Sequence, residues 1–233
     1  MAQRIVFLLR RNPQLTREAF QDYWLTTHAP LVVSMAASLG IVRYQQVHAV
    51  QATRHTKCAE FDGLAELWVD YSRRSTDKQL LVSSSRALFI DEQNFIDHAN
   101  SPIWIADEDH LLSGPKDGLR VTAALRRKEG TSRQQFLDHW HDVHGPWALR
   151  HPEVWGFTSY TQLRSPDNAD ENPMVRERNA PPAFDGLSEI YRVPATASRA
   201  VVDHMRAEIL ADELNFIDTD ESPVFTGYVH VIL

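Results

Sequence analysis

The sequence predicts an α+β chain made of two β-α-β-β-α-β repeats that close together into one barrel. Three observations predict it: the chain repeats itself, each copy runs through the same order of strand and helix patterns, and each copy leaves one sheet face uncovered. Shifted by 116 residues, positions 4–46 lie on 120–162 without a gap, with 13 identities in 43 pairs. Arg10, Arg11, Phe20, Trp24, His28, Pro30, Gly40 and Tyr44 fall on Arg126, Arg127, Phe136, Trp140, His144, Pro146, Gly156 and Tyr160. The match resumes where Phe61-Asp62-Gly63 meets Phe184-Asp185-Gly186, and again where Asn94-Phe95-Ile96-Asp97 meets Asn215-Phe216-Ile217-Asp218. Rare residues keeping one order at nearly one offset make the duplication secure.

Each copy reads strand, helix, strand, strand, helix, strand. Residues 5–9 form a β-rich apolar run, punctuated by Asn12-Pro13. Thr16, and Ser132 in the second copy, can cap a helix start by accepting an orphan backbone N–H. Phe20, Trp24 and His28 recur every four residues, which puts them on one helical face, as do Phe136, Trp140 and His144. Pro30 and Pro146 disfavour helix at the preceding residue, so each helix is expected to bend or end beside its histidine. Residues 42–50 and 64–69 alternate as half-buried strands do, 77–95 read as the second helix, and 102–112 as the last strand. The turn-rich stretch 113–118 marks the boundary, giving repeats at 1–115 and 116–233. Such a ferredoxin-like unit makes a four-stranded antiparallel sheet with both helices on one face. The economical cover for the bare face is the other copy's bare face, so the duplication does within one chain what a homodimer does with two.

Composition bounds the function classes. Hydrophobic residues at 43% and charged residues at 24% are ordinary for a globular chain. A net charge of −7 argues against a nucleic-acid partner, and the basic clusters Arg10-Arg11 and Arg126-Arg127-Lys128 read as solvated strand ends. No apolar run approaches the ~20 residues of a membrane span, and no secretion signal is visible. The single cysteine, Cys58, cannot form an internal disulfide, in keeping with a cytoplasmic location.

The spacing Arg10-Arg11-x4-Thr16-Arg17-x2-Phe20-x3-Trp24-x3-His28-x-Pro30, with Phe61-Asp62-Gly63 and Glu66, resembles the EthD family of the dimeric α+β barrel superfamily. The likeness covers nearly the whole chain twice, and His-x-Pro after a Trp-bearing helix is its most specific part. It implies an intramolecular version of the dimeric α+β barrel. It also implies a superfamily that includes cofactor-free isomerases and cyclases, monooxygenases and haem enzymes, so fold constrains function weakly.

Several residues could carry chemistry. His28 and His144 end apolar stripes against a proline, where an imidazole can act as acid or base or can fix a helix end. Tyr44, Gln46 and His48 share one strand face, matched by Tyr160, Gln162 and Arg164 in the second copy. Glu66 and Glu189 stand mid-strand between Leu64 and Trp68, or Leu187 and Tyr191. A carboxylate there is either a raised-pKa base or an ion-pair partner, with Arg10 or Arg126 as the counter-charge. His139, His141 and His144 cannot converge on one metal ion from a helix, because the first two lie about 200° apart. The long connection at 163–183 reads as a lid or a mobile loop.

The combined expectation is an enzyme working without a cofactor on a small, apolar, oxygenated molecule such as a lactone, enone or aromatic polyketide. The reaction would be an isomerisation or an elimination. His28, Tyr44 and Glu66 would act in a first pocket and His144, Tyr160 and Glu189 in a second. Trp24, Gln46, His48, Trp68, Trp140, Gln162, Arg164 and Tyr191 would contact substrate. Monooxygenase or haem chemistry, and a non-catalytic binder of a hydrophobic metabolite, remain open, as does a homodimer of tandem barrels.

Overall fold

A computed structural model describes residues 2–52, 60–195 and 197–233; Cys58 lies outside them. The first repeat begins with β1 (Gln3–Leu9), α1 (Arg17–Tyr23), a π-helical turn (Trp24–His28) and α2 (Ala29–Leu39). It continues through β2 (Ile41–Ala52), β3 (Gly63–Val69), α3 (Lys78–Glu92) and β4 (Ile103–Leu112). The second begins with β5 (Leu119–Leu125), α4 (Arg133–Asp138), a π-helical turn (His139–His144), α5 (Gly145–Ala148) and α6 (Pro152–Trp155). It ends with β6 (Phe157–Arg164), α7 (Pro173–Arg178), β7 (Gly186–Arg192), α8 (Arg199–Phe216) and β8 (Val224–Val231).

The eight strands of the described residues form one closed antiparallel barrel in the order β1-β3-β2-β8-β5-β7-β6-β4. Each repeat supplies four neighbouring strands, and the seams are β2 on β8 and β4 on β6. Closure leaves no free sheet edge to pair with other chains. No helix among the described residues is long and apolar enough to cross a membrane.

Thr16 caps α1 through Ala19 N–H, and Ser132 with Gln135 forms a full capping box on α4. The helix is expected to bend or end beside each histidine; instead it continues through a π turn. Pro30 has no N–H to offer the preceding turn. The Trp24 carbonyl receives the N–H of Ala29 and the side-chain amide of Gln46 at 3.0 Å. Gly145 and Gln162 do the same for Trp140.

The Phe-Asp-Gly elements have separable structural roles. Phe61 and Phe184 meet edge to face at 6.0 Å where the two repeats join. Asp62 holds the Arg11 backbone and both Arg11 and Arg17 side chains, as Asp185 does for Arg127 and Arg133. Gly63 and Gly186 make room for tryptophan: a Cβ there would lie 2.6 Å from Trp24 and 2.3 Å from Trp140. The basic clusters are therefore structural clamps rather than solvated ends. Arg10 and Arg126 lie over the Phe61 and Phe184 rings, at 5.0 and 4.0 Å.

The barrel interior has an apolar part, with Val6, Leu8, Val47, Leu64, Trp104 and Leu187, and a charged layer. In that layer Arg4 and Arg120 face Glu66 and Glu189, all four no more than 2% exposed. Arg4 bonds both carboxylates, while Arg120 holds Glu66 at 2.5 and 2.9 Å and lies 3.5 Å from Glu189. Gln45 adds a bond to Glu66, and Lys116 one to Glu189 at 2.7 Å. Burial opposes ionisation of Glu66, but Arg120 and then Arg4 outweigh it and hold the carboxyl below its ordinary value of 4.5. Glu189 is depressed by the same balance.

Candidate active site

The two histidines lie on the outer, helix-covered side of the sheet. His28 Nδ1 lies 2.7 Å from Asp91 on α3, and His144 Nδ1 lies 2.8 Å from Asp212 on α8. Each dyad thus links the end of a π turn to the second helix of its repeat, with the imidazole against Phe95 or Phe216. The hydrogen bond from His144 keeps the Asp212 carboxyl below its ordinary range, with a further bond from His139 at 2.9 Å. His141 turns away towards Asp109, at 3.0 Å, so the three histidines of that helix do not converge.

The second repeat holds a cavity of about 330 Å³ between its sheet and α8. His144, Trp140 and Tyr160 face it, with Ser188 and Glu213 beside them. Its apolar walls include Val121, Ala123, Ile190, Ile209, Trp155 and Phe157, and Arg192 and Arg206 also line it. A mainly apolar cleft of this size with a few converging polar groups suits a small molecule. Tyr160 accepts the Gln162 amide at 3.0 Å, and burial raises its pKa, so its phenol stays protonated and able to donate.

Beside His28 the equivalent space in the first repeat is filled, and the groove of about 480 Å³ that remains along α3, lined by Leu39, Ser85 and Phe89, reaches neither His28 nor Tyr44. Phe7 stands where the second repeat has Ala123, Val32 where it has Ala148, and Phe89 where it has Leu210. The long connection of the second repeat then seals it, as a fixed plug rather than a mobile loop. Val175 of α7 is buried in the first repeat's core, with Met174 and Ala180 packed beside it. Arg178 makes two 2.8 Å bonds to Glu92 and lies over the Phe7 and Phe89 rings. Burial opposes ionisation of Glu92, but His98 and Arg178 lower its pKa to about 2. Carrying the filling residue across should close the open cleft. Ala123→Phe is expected to abolish small-molecule binding there while leaving thermal stability within a few degrees, as calorimetry would show.

The sheet separates groups that the sequence reading placed together. Glu66 and Glu189 point into the barrel, whereas His28, Tyr44, His144 and Tyr160 lie on the helix side, so neither glutamate meets its histidine. Their counter-charges are Arg4 and Arg120, not Arg10 or Arg126. Trp68 and Tyr191 are also interior: Trp68 donates to Glu108 at 2.7 Å under Arg4 and Arg43, and Tyr191 lies near Lys116. Trp24 donates to Tyr44 at 2.9 Å and stacks on His48 at 4.8 Å, and Gln46 bonds both Tyr44 and His48. Burial and the neighbouring His230 push His48 down to about 3, so it stays neutral. Arg164 ends β6 half-exposed beside Asp109 and does not line the cleft. Asp91 and Asp212 were missed, yet Asp91-Glu92 and Asp212-Glu213 extend the repeated Asn-Phe-Ile-Asp match, one unmatched pair (Gln93 and Leu214) before it.

The EthD domain model matches residues 12–99 and 128–220. A conidial pigment biosynthesis dehydratase EthD of Metarhizium robertsii is 26% identical over 120 residues, 46% of this chain and 82% of that protein. A structure named as a candidate chlorite dismutase superposes with a TM-score of 0.50 at 13% identity, covering 100% of this chain and 96% of that one. A structure from Fusobacterium nucleatum named as a candidate monooxygenase gives 0.50 at 9% identity, covering 100% and 93%. At such identities these two structures show the fold alone.

Proposed function

The chain belongs to the EthD family, and from that premise we propose that its second-repeat cleft catalyses a dehydration by acid–base chemistry. The substrate class is a small ring-bearing β-hydroxy ketone or a comparably activated alcohol. The observation that carries this reading is the His144–Asp212 dyad on the wall of a mainly apolar cleft. The name of the Metarhizium relative supports the reaction type.

The chemistry follows from the geometry. Asp212 holds Nδ1–H of His144, which leaves Nε2 as the basic nitrogen. Nε2 takes the proton next to the substrate carbonyl, and the C–H electrons move into an enolate whose oxygen accepts the Tyr160 phenol. The enolate then expels the β-hydroxyl. The C–O bond breaks as the imidazolium returns its proton to the departing oxygen, releasing water. Protons and electrons balance within this sequence without an outside oxidant or reductant. Apolar walls strengthen each of these charge interactions relative to water.

A hydroxytetralone with its hydroxyl β to the ketone is a direct probe, because loss of water yields a fluorescent naphthol. Turnover above the uncatalysed rate is expected, with solvent deuterium entering the α position of recovered substrate. Asp212→Asn should lower kcat by roughly 10²–10⁴-fold and alter its pH profile, with KM changed little. An Asp212→Asn enzyme with unchanged kcat and pH profile would refute the assignment.

A further inference from the structure

We propose that the second-repeat cleft selects substrates bearing a carboxylate, which is received at its rim by Arg192 and Arg206 with the indole N–H of Trp155. This rests on the reading of that cleft as the substrate site and adds the substrate's charge class.

The groups converge from different elements. Arg192 ends β7 and lies directly across from Phe157 in the β6 pairing. The Phe157 ring stacks on Trp155 at 5.9 Å. Trp155 is only 8% exposed, and its Nε1 has no hydrogen-bond partner among the described residues. A buried N–H left unmade is costly, and an acceptor oxygen entering the cleft would satisfy it. Arg206 approaches from α8 and lines the same cavity.

Among the described residues neither arginine is committed to another element. Arg192 makes no ion pair among the described residues. Among the described residues Arg206 pairs with Asp203 on its own helix, at 4.0 Å, and an exposed pair of that kind holds weakly. Glu213 is the single acidic residue in the lining, so the cleft carries net positive charge in a chain of net −7. The first repeat, whose groove does not reach His28, has Val69, Ser85 and Leu39 at the equivalents of Arg192, Arg206 and Trp155. Arg192, Arg206 and the Trp155 N–H therefore have no counterparts at the matching positions of the first repeat. Guanidinium is the side chain whose planar fork matches a carboxylate.

Binding can be measured without turnover. Calorimetric titration with naphthoate and with its neutral isostere naphthamide should give a preference for naphthoate of about tenfold or more at low salt. That preference should shrink as salt is raised. Arg192→Gln combined with Arg206→Gln should reduce it to about twofold or less while naphthamide binds as before. Trp155→Phe should weaken both ligands. Equal affinities in the unmodified protein, a preference that survives loss of both arginines, or binding of neither ligand would overturn the proposal. His144→Ala should retain the preference, because recognition and reaction are separate. Failure to dehydrate the hydroxytetralone, with the naphthoate preference intact, would remove the reaction and leave this subsite standing.

Discussion

His144→Ala is expected to lower kcat/KM for dehydration by roughly 10²–10⁴-fold, the usual weight of a general acid–base group. His28→Ala, by contrast, should leave it within about threefold. The two residues have the same chemistry, equivalent aspartate partners in Asp91 and Asp212, and the same place in their repeats. Their surroundings differ. His144 faces a cavity of about 330 Å³, whereas His28 lies in a layer closed by Phe7, Phe89 and the Arg178–Glu92 bond. His28 therefore serves as a clamp between the π turn and α3, and its loss should appear as a lower melting temperature. Steady-state kinetics of both variants, with thermal unfolding as a control, separates the roles. Equal losses of activity would mean that the first cleft also turns over.

Glu66→Gln should be strongly destabilising, on the order of 3–5 kcal/mol, because it leaves Arg120 and Arg4 short of a buried counter-charge. For a domain of this size that corresponds to roughly 6–20 °C in Tm. Replacing Arg120, Arg4, Glu66 and Glu189 together by well-packed apolar residues should cost far less. The acid response has a definite sign. Both carboxyls are held below 4.5 in the folded protein, so their stabilisation is fully present above that value and is lost as pH falls beneath it towards their folded pKa values. Chemical unfolding at neutral and acidic pH should show wild-type stability falling with acid and the Glu66→Gln variant falling less. An equal fall in both would show that the cluster does not govern acid stability.

The repeat and its element order were legible because rare residues preserve spacing and because strand and helix periods are visible without tertiary information. That Tyr160 and Gln162 share a strand face was legible in the same way, and the two are hydrogen-bonded on it. Alternation states which residues of one strand share a face, but not how two strands are registered. Tyr44 pairs with Leu67, not with Glu66, and that single step of register sends the glutamate inside the barrel. Pairing with Arg4 and Arg120 rather than Arg10 or Arg126 has the same cause, since Arg4 faces the interior one strand over. The plug was illegible for a different reason. Nothing local to residues 173–178 says that they settle on the other repeat, because that contact is made only once the barrel has closed.

The seams of the barrel carry one more consequence. β8 closes on β2 and β4 closes on β6, so everything that joins the repeats is a contact between half-chains. A half from a second polypeptide could supply the same strands, the same paired charges and the same α7 plug. Only the connection at 113–118 decides whether the partner half comes from its own chain. Shortening or stiffening that hinge would favour exchanged dimers, each containing two complete barrels, over the self-closed monomer.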